Sequence, residues 1–215
     1  MYARDDIRKA MRLYAVTDTA WLDGRTLAEC VESALRGGAT FIQLRDKHAS
    51  ADELIAVAKE LGPLCARARV PFVVNDDVGA ALAADADGVH VGQDDMACAT
   101  ARAMLGPDKI VGVSVQTLEE ALEAQADGAD YLGVGAMFGT PTKPEAADVS
   151  FEELAAICEA VAIPVVAIGG LNETTISSLA GTGVDGAAAV SAIFASQDIE
   201  SSTKRLRELV DEALA

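Results

Sequence analysis

The sequence predicts a single α/β domain folded as a (β/α)8 (TIM) barrel, and three observations carry that expectation. Eight short apolar segments recur along the chain. Stretches rich in Ala, Leu and Glu, with the apolar spacing of helices, lie between them. A turn carrying Gly or Asp recurs ahead of several segments. Strand and helix in strict alternation build a parallel sheet with helices outside. Eight such units in 215 residues fit a small barrel, a fold whose size range starts at about 200 residues. A doubly wound open sheet gives the same local signal and is the alternative. No early G-x-G-x-x-G opens a helix, which weakens a dinucleotide-binding version of that alternative. No linker, low-complexity tract or composition shift divides the chain, so residues 1–215 are read as one domain.

The strands are expected at Leu13–Asp18, Phe41–Asp46, Phe72–Asp76, Gly88–Gly92, Ile110–Val115, Tyr131–Gly135, Pro164–Gly170 and Gly186–Ala192. The intervening helices include Leu118–Ala126 and Phe151–Val161. A weak internal repeat supports the alternation. Gly37-Gly38-Ala39-Thr40, Asp85-Ala86-Asp87-Gly88, Gly128-Ala129-Asp130 and Gly183-Val184-Asp185-Gly186 each precede a strand. Glycine ends helices readily because it enters the left-handed region without a Cβ penalty. The repeated unit is a helix end feeding a strand.

Hydrophobic residues make up 51% of the chain and aromatics 4%, so the core must be large and aliphatic. The charged segment from Met1 to Arg12 lacks the apolar region of a secretory signal, and no apolar run reaches a membrane span. Cys30, Cys65, Cys98 and Cys158 lie far apart and read as reduced thiols of a cytoplasmic protein. A homo-oligomer is compatible with the sequence, which does not specify one. The net charge of −17 argues against a nucleic-acid partner. It also repels phosphorylated ligands, so a phosphate site must concentrate its cations locally. Acids at helical spacing, such as Glu119, Glu120 and Glu123, read as solvated helix faces. A sharper reading is a proteome adapted to high salt, where self-repulsion is screened.

The loop after the sixth strand, Gly133-Val134-Gly135-Ala136-Met137-Phe138-Gly139-Thr140-Pro141-Thr142-Lys143-Pro144, joins glycines, hydroxyls, stiffening prolines and a cation. These groups suit a phosphate-bearing ligand. In the second strand, side-chain alternation puts Gln43, Arg45 and Lys47 on one face and Ile42 and Leu44 on the other. An inward Arg and Lys near the barrel mouth read as an anion clamp; the plainer account is an ion pair with Asp46 or another acid. Asp76 and Asp95, at the ends of the third and fourth strands, can meet across about 4.8 Å between neighbouring strands. Two carboxylates, with waters and substrate phosphates, make a Mg²⁺ site. Capping of the following helices is the plainer role for any one of them. Ser114, near the end of the fifth strand, serves a ligand or the backbone; no base is paired with it, so a serine nucleophile is not expected. Gly170 after the seventh strand, with Val190 and Ser191 at the eighth, falls where such barrels often bind phosphate. His90 reads as a hydrogen-bonded interior residue. His48 either touches substrate or faces solvent, and Trp21 either shields a ligand or packs on the rim.

Taken in order, Leu13-Tyr14-Ala15-Val16-Thr17-Asp18, Gln43-Leu44-Arg45-Asp46-Lys47, Val74-Asn75-Asp76, Gly88-Val89-His90-Val91-Gly92-Gln93-Asp94-Asp95, Gly112-Val113-Ser114, Thr140-Pro141-Thr142-Lys143, Ile168-Gly169-Gly170 and Val190-Ser191 resemble the thiamine-phosphate synthase family over nearly the whole chain. The resemblance implies a Mg²⁺-dependent transferase on a (β/α)8 barrel. It joins 4-amino-2-methyl-5-(diphosphooxymethyl)pyrimidine to a thiazole ethyl phosphate, giving thiamine monophosphate and diphosphate. It further implies that Gln43, Arg45, Lys47, Asn75, Ser114 and Lys143 hold the pyrimidine diphosphate. Asp76 and Asp95 would ligate Mg²⁺. Thr140, Pro141, Thr142, Gly170, Val190 and Ser191 would hold the thiazole phosphate. Of these, Arg45, Lys47, Ser114 and Lys143 would serve catalysis. Gln116 and Gly139 depart from the family, which often carries His and Pro there. Thiazole-tautomerase relatives share the fold and phosphate seat but do not need Arg45, Lys47, Asp76 and Asp95 together. A class I aldolase would place a reactive lysine on a strand, whereas Lys143 sits beyond one and Lys47 lies beside an arginine. A barrel that had lost activity would lack some of the acids or cations, and none is missing.

Overall fold

In a computed structural model, which describes residues 2–139 and 148–215, all eight apolar segments form strands. They are β1 Leu13–Val16, β2 Phe41–Leu44, β3 Phe72–Asn75, β4 Gly88–Val91, β5 Ile110–Val115, β6 Tyr131–Val134, β7 Val165–Ile168 and β8 Gly186–Ala189. Every neighbouring pair is parallel, and β8 closes onto β1. The closed ring excludes the open-sheet alternative.

Helices α1 Arg4–Ala10, α2 Leu27–Arg36, α3 Ala51–Ala68, α4 Val78–Ala83, α5 Cys98–Leu105, α6 Leu118–Ala126, α7 Phe151–Ala160, α8 Ser191–Phe194 and α9 Ile199–Ala213 lie among the described residues. Several starts are written locally. Thr26 with Glu29, Ser50 with Glu53 and Thr117 with Glu120 form reciprocal capping boxes, each satisfying backbone N–H groups that the first helical turn leaves unpaired. Their ends follow the repeat. Gly38, Gly128 and Gly183 take positive φ, and Asp85 takes the same left-handed turn at φ 53°.

All the strands except β5, which keeps its expected limits, are shorter than the sequence suggests. Asp76, Gly92, Gly135, Gly169, Gly170 and the segment after Ala189 leave the ladder instead of extending it. Most of these residues stand at the C-terminal rim, where a chain that turns away can present groups to a ligand.

The core has two compartments. One lies between strands and helices and holds most buried Val, Leu, Ile and Ala. The other fills the barrel, with Tyr14, Phe41, Val73, Ile110, Tyr131 and Val166, and is joined from below by Ile7, Ala10 and Met11 at α1. Helix α1 thereby stoppers the N-terminal end, and Arg8 ties it to Asp185 at 2.6 Å. Three aromatic rings form the floor of the interior: Tyr14 and Phe41 lie 4.5 Å apart, and Phe41 and Tyr131 lie 5.3 Å apart. Gly112 pairs with Tyr131 in the sheet, and its missing side chain leaves room for that ring. Space opens above this floor.

The four cysteines are free thiols. Burial raises Cys65 to about 12 and Cys98 to about 11, so neither is a reactive thiolate near neutral pH. No described helix is long and apolar enough to cross a membrane.

Candidate active site

A cavity of about 410 Å³ opens at the C-terminal ends of the strands, the face where such barrels carry their sites. Gln43, Arg45, Lys47, Asn75, Asp76, Asp95, Ser114, Gly170, Val190 and Ser191 all line it. Residues from six of the eight strand ends, more than a hundred positions apart in sequence, thus meet in one place. Thr140, Pro141, Thr142 and Lys143 lie outside the described residues.

The cationic side is not built as a continuous strand face. The strand β2 ends at Leu44 because its pairing with β1 ends at Val16 and Gln43. Thr17 then takes over: its hydroxyl donates to the Arg45 carbonyl at 3.1 Å and accepts from the Arg45 N–H at 2.9 Å. Arg45 and Lys47 are therefore held from a loop clamped to the barrel. Among the described residues no carboxylate lies within ion-pair distance of Arg45. The Asp46 carboxylate instead accepts from the His48 N–H at 2.9 Å. The ion-pair account of Arg45 falls, and a guanidinium facing the cavity is left to meet an anion.

On the acidic side the two neighbouring aspartates divide their work. Asp77 caps α4 by accepting from the Ala80 N–H at 2.8 Å. Asp76 does not cap. It sits at φ 63°, a left-handed conformation for a non-glycine residue, while its N–H still donates to the His90 carbonyl at 2.8 Å. Such a backbone costs about 1 kcal/mol or more and is retained where something over-determines it. Asp95 accepts from the Gly92 N–H through Oδ2 at 2.8 Å, which orients the carboxylate and leaves Oδ1 without a partner among the described residues. No group of three or more His, Cys, Asp or Glu side chains gathers among the described residues. A divalent ion here would rest on two carboxylates, with oxygens of ligand and water completing its shell. That donor set suits Mg²⁺.

Below the charged rim runs a chain of side chains that the sequence did not reveal. Gln43 Nε2 donates to the Tyr14 hydroxyl at 2.6 Å. Tyr14 and Tyr131 hydroxyls lie 2.7 Å apart. Tyr131 reaches His90 Nδ1 at 2.9 Å, and His90 Nε2 reaches Ser114 Oγ at 2.9 Å. Burial pushes both phenols well above their usual range, so they keep their hydrogens. His90 is the hydrogen-bonded interior residue expected, 6% exposed, and it also lines the cavity. Its contact with Ser114 gives that serine a histidine neighbour that the sequence did not reveal. Tyr14 could have been found: alternation along Leu13-Tyr14-Ala15-Val16 puts it on one strand face with Val16. The pairing of Tyr131 with His90 crosses from β6 to β4 and has no local signal.

The remaining candidates separate cleanly. Gly169 and Gly170 take φ 100° and 64°. A Cβ on Gly170 would stand 2.7 Å from Phe138 Cβ, and one on Gly169 would stand 2.6 Å from Ala136 Cα. These glycines let the turn after β7 press against the loop after β6. Ser191 opens α8 just after the neighbouring strand β8. Gln116 spans toward β6, donating to the Gly135 carbonyl at 3.4 Å. His48 is exposed, and Trp21 packs on the outer core without lining the cavity.

A (β/α)8 barrel whose mouth sets an arginine and a lysine against two aspartates, beside glycine turns after the seventh strand, is of the phosphate-handling class. The sequence profile described as thiamine monophosphate synthase matches residues 13–193, and the chain belongs to that family. A thiamine-phosphate synthase of Chloroflexus aurantiacus is 51% identical over 200 residues, 93% of this chain and 92% of the relative. One from Clostridium botulinum is 45% identical over 200 residues, 93% of this chain and 94% of the relative. The solved structure of a thiamine phosphate pyrophosphorylase from Pyrococcus furiosus superposes with a TM-score of 0.89 at 42% identity, over 97% of this chain and all of that one.

Proposed function

We propose that this chain is a Mg²⁺-dependent thiamine-phosphate synthase of the cytoplasm. It would join 4-amino-2-methyl-5-(diphosphooxymethyl)pyrimidine to 4-methyl-5-(2-phosphooxyethyl)thiazole and release diphosphate. The observation that carries the reading is the meeting of Arg45, Lys47, Asp76, Asp95 and Ser114 around one cavity. Relatives named for this activity match over nearly their whole length.

The residues suit a reaction in which a leaving group departs. Arg45 forks onto diphosphate oxygens, Lys47 adds a point charge, and Ser114 contributes one hydrogen bond. Gln43 and Asn75 hold the ligand toward the barrel axis. Asp76 and Asp95 hold Mg²⁺, which when bound offsets the charge that grows on the diphosphate. Gly170, Val190 and Ser191, with Thr140, Pro141 and Thr142, seat the thiazole phosphate, so that the ring nitrogen faces the carbon being vacated. Lys143 adds a further cation to the diphosphate seat. Fixed donors aimed at developing charge, in a cavity floored by aromatic rings, stabilise separation without reorganising at each turnover.

The test mixes purified protein, both phosphorylated heterocycles and Mg²⁺, and follows thiamine phosphate by chromatography. Product should appear and should disappear with a chelator, returning on Mg²⁺ addition. No product under saturating substrates and Mg²⁺ refutes the activity. Product formation that survives the chelator refutes the metal.

A further inference from the structure

We infer that the buried chain Gln43–Tyr14–Tyr131–His90 fixes the imidazole hydrogen of His90 on Nε2 and so turns the Ser114 hydroxyl into a hydrogen-bond donor aimed at the cavity. Tyr14, Tyr131 and His90 act here as positioning residues.

The argument counts hydrogens. An amide nitrogen only donates, so Gln43 Nε2 gives its hydrogen to the Tyr14 oxygen at 2.6 Å. A phenol owns one hydrogen. That of Tyr14 has the Tyr131 oxygen at 2.7 Å to receive it. The hydrogen of Tyr131 passes in turn to His90 Nδ1 at 2.9 Å. Neutral imidazole carries one N–H. With Nδ1 accepting, that hydrogen sits on Nε2 and points at Ser114 Oγ, 2.9 Å away. The hydroxyl accepts there, so its own hydrogen is directed elsewhere. Among the described residues the Ser114 side chain has no second partner, and it lines the cavity. What remains for that hydrogen is an acceptor on a ligand.

Two consequences follow. His90 does not serve Ser114 as a base, so their contact does not make a nucleophile. Gln43 sets the polarity of the whole chain from about four links away. Were an acceptor to face Tyr14, every hydrogen would reverse, Ser114 would donate to His90, and the ligand would meet oxygen lone pairs. An anionic ligand oxygen is bound by the first arrangement and repelled by the second. The benefit to a diphosphate rests on the proposed synthase reading; the tautomer does not.

The experiment is ¹⁵N NMR of histidine-labelled, ligand-free protein, which distinguishes bare from hydrogen-bearing ring nitrogens. The chain has 2 histidines, and His48→Gln assigns the signals. His90 should show a pyridine-type Nδ1 and a pyrrole-type Nε2. Gln43→Glu, at alkaline pH with the carboxylate ionised, places an acceptor against Tyr14 and should exchange the two signal types. In Tyr131→Phe the Nδ1 signal should move toward that of an unbonded pyridine-type nitrogen. A hydrogen on Nδ1 in the wild type overturns the inference. So does an unmoved His90 spectrum in folded Gln43→Glu, or in Tyr131→Phe should the glutamate variant not fold. No substrate is present, so this outcome is independent of the product assay that tests the activity.

Discussion

Gly112→Ala should be among the most damaging single-methyl additions this fold can receive. Gly112 lies in β5 opposite Tyr131 of β6, and a Cβ built there falls on the Tyr131 ring, meeting Cζ, Cε1 and the hydroxyl. The ring has nowhere to go. It is fully buried, with Phe41 at 5.3 Å and Tyr14 at 5.8 Å. Forcing an extra methyl into a packed interior costs about 1–3 kcal/mol. A displaced hydroxyl also loses Tyr14 or His90, about 1 kcal/mol for one such bond. Replacing glycine returns roughly 0.5 kcal/mol of backbone entropy. The net expectation is a loss of about 2–3 kcal/mol, read as a lower urea midpoint at unchanged slope. Gly62→Ala is the control. That glycine is inside α3, and its added Cβ finds Phe72 Cδ1 at an ordinary 3.9 Å. Its helix-propensity gain is opposed by the crowding that Pro63 places on the residue before it, so the variant should stay within about 0.5 kcal/mol of wild type. A Gly112→Ala protein within about 0.5 kcal/mol of wild type, the usual range for a substitution that disturbs nothing, would refute the account of the interior.

Asp76→Gly should relieve the left-handed backbone at φ 63° and raise stability by about 1 kcal/mol, while abolishing thiamine phosphate formation; Asp76→Ala should abolish it too, and unimpaired activity in Mg²⁺ would contradict the metal assignment. Arg102→Met removes donors to the carbonyls of Gly106 at 2.8 Å, Lys109 at 2.6 Å and Gly128 at 2.9 Å, and breaks the pair with Asp130. Thermal unfolding should show a loss of roughly 2–4 kcal/mol, and an unchanged midpoint would refute this. The Glu53 carboxylate is held below its usual range by its bonds to the Ser50 hydroxyl and N–H. Because the folded value is the lower one, its contribution is present above the unfolded value of about 4.3 and is lost as pH falls through the folded value. Urea midpoints of Glu53→Gln should therefore trail wild type near neutrality and converge with it in acid. The net charge of −17 predicts a melting temperature that climbs as KCl shortens the screening length from about 30 Å at 0.01 M to about 3 Å at 1 M. Full stability and activity at millimolar salt would remove the high-salt reading.

The barrel was legible because its signals are local. Strand apolarity, helix spacing and the Gly or Asp turn before four of the strands are written within a few residues, and α6 at Leu118–Ala126 matches its expected limits. The boundaries at the rim were not legible. Whether Asp76 continues β3 depends on the neighbouring β4 and on a left-handed turn that Asp adopts without announcing it. Arg45 and Lys47 were found as a pair with the right destination but on a strand that stops before them, because Thr17 ends the ladder from a different segment. Ser114 looked solitary for a related reason. Its partner His90 lies 24 positions away, on a strand whose register with β5 is set by closure of the ring and by no motif.

Seven of the positive-φ residues flank strands, and the end of the barrel they occupy separates folding from function. At the N-terminal end, Gly38, Gly128, Gly183 and Asp85 stop helices and start strands. Three of these four are glycine, for which the conformation is free of a Cβ penalty. At the C-terminal end, Gly169 and Gly170 shape the turn beside the cavity, and Asp76 holds the same region of backbone space as a carboxylate. A glycine at 76 would satisfy the backbone better, so folding alone does not account for the aspartate. Its side chain must be wanted where that strained turn delivers it, at the rim of the cavity that Arg45 and Asp95 also line. A stability gain in Asp76→Gly with loss of product, set against Asp85→Gly gaining stability and keeping activity, would separate the two ends by experiment. Equal activity in both variants would mean that the strain at Asp76 serves the fold after all.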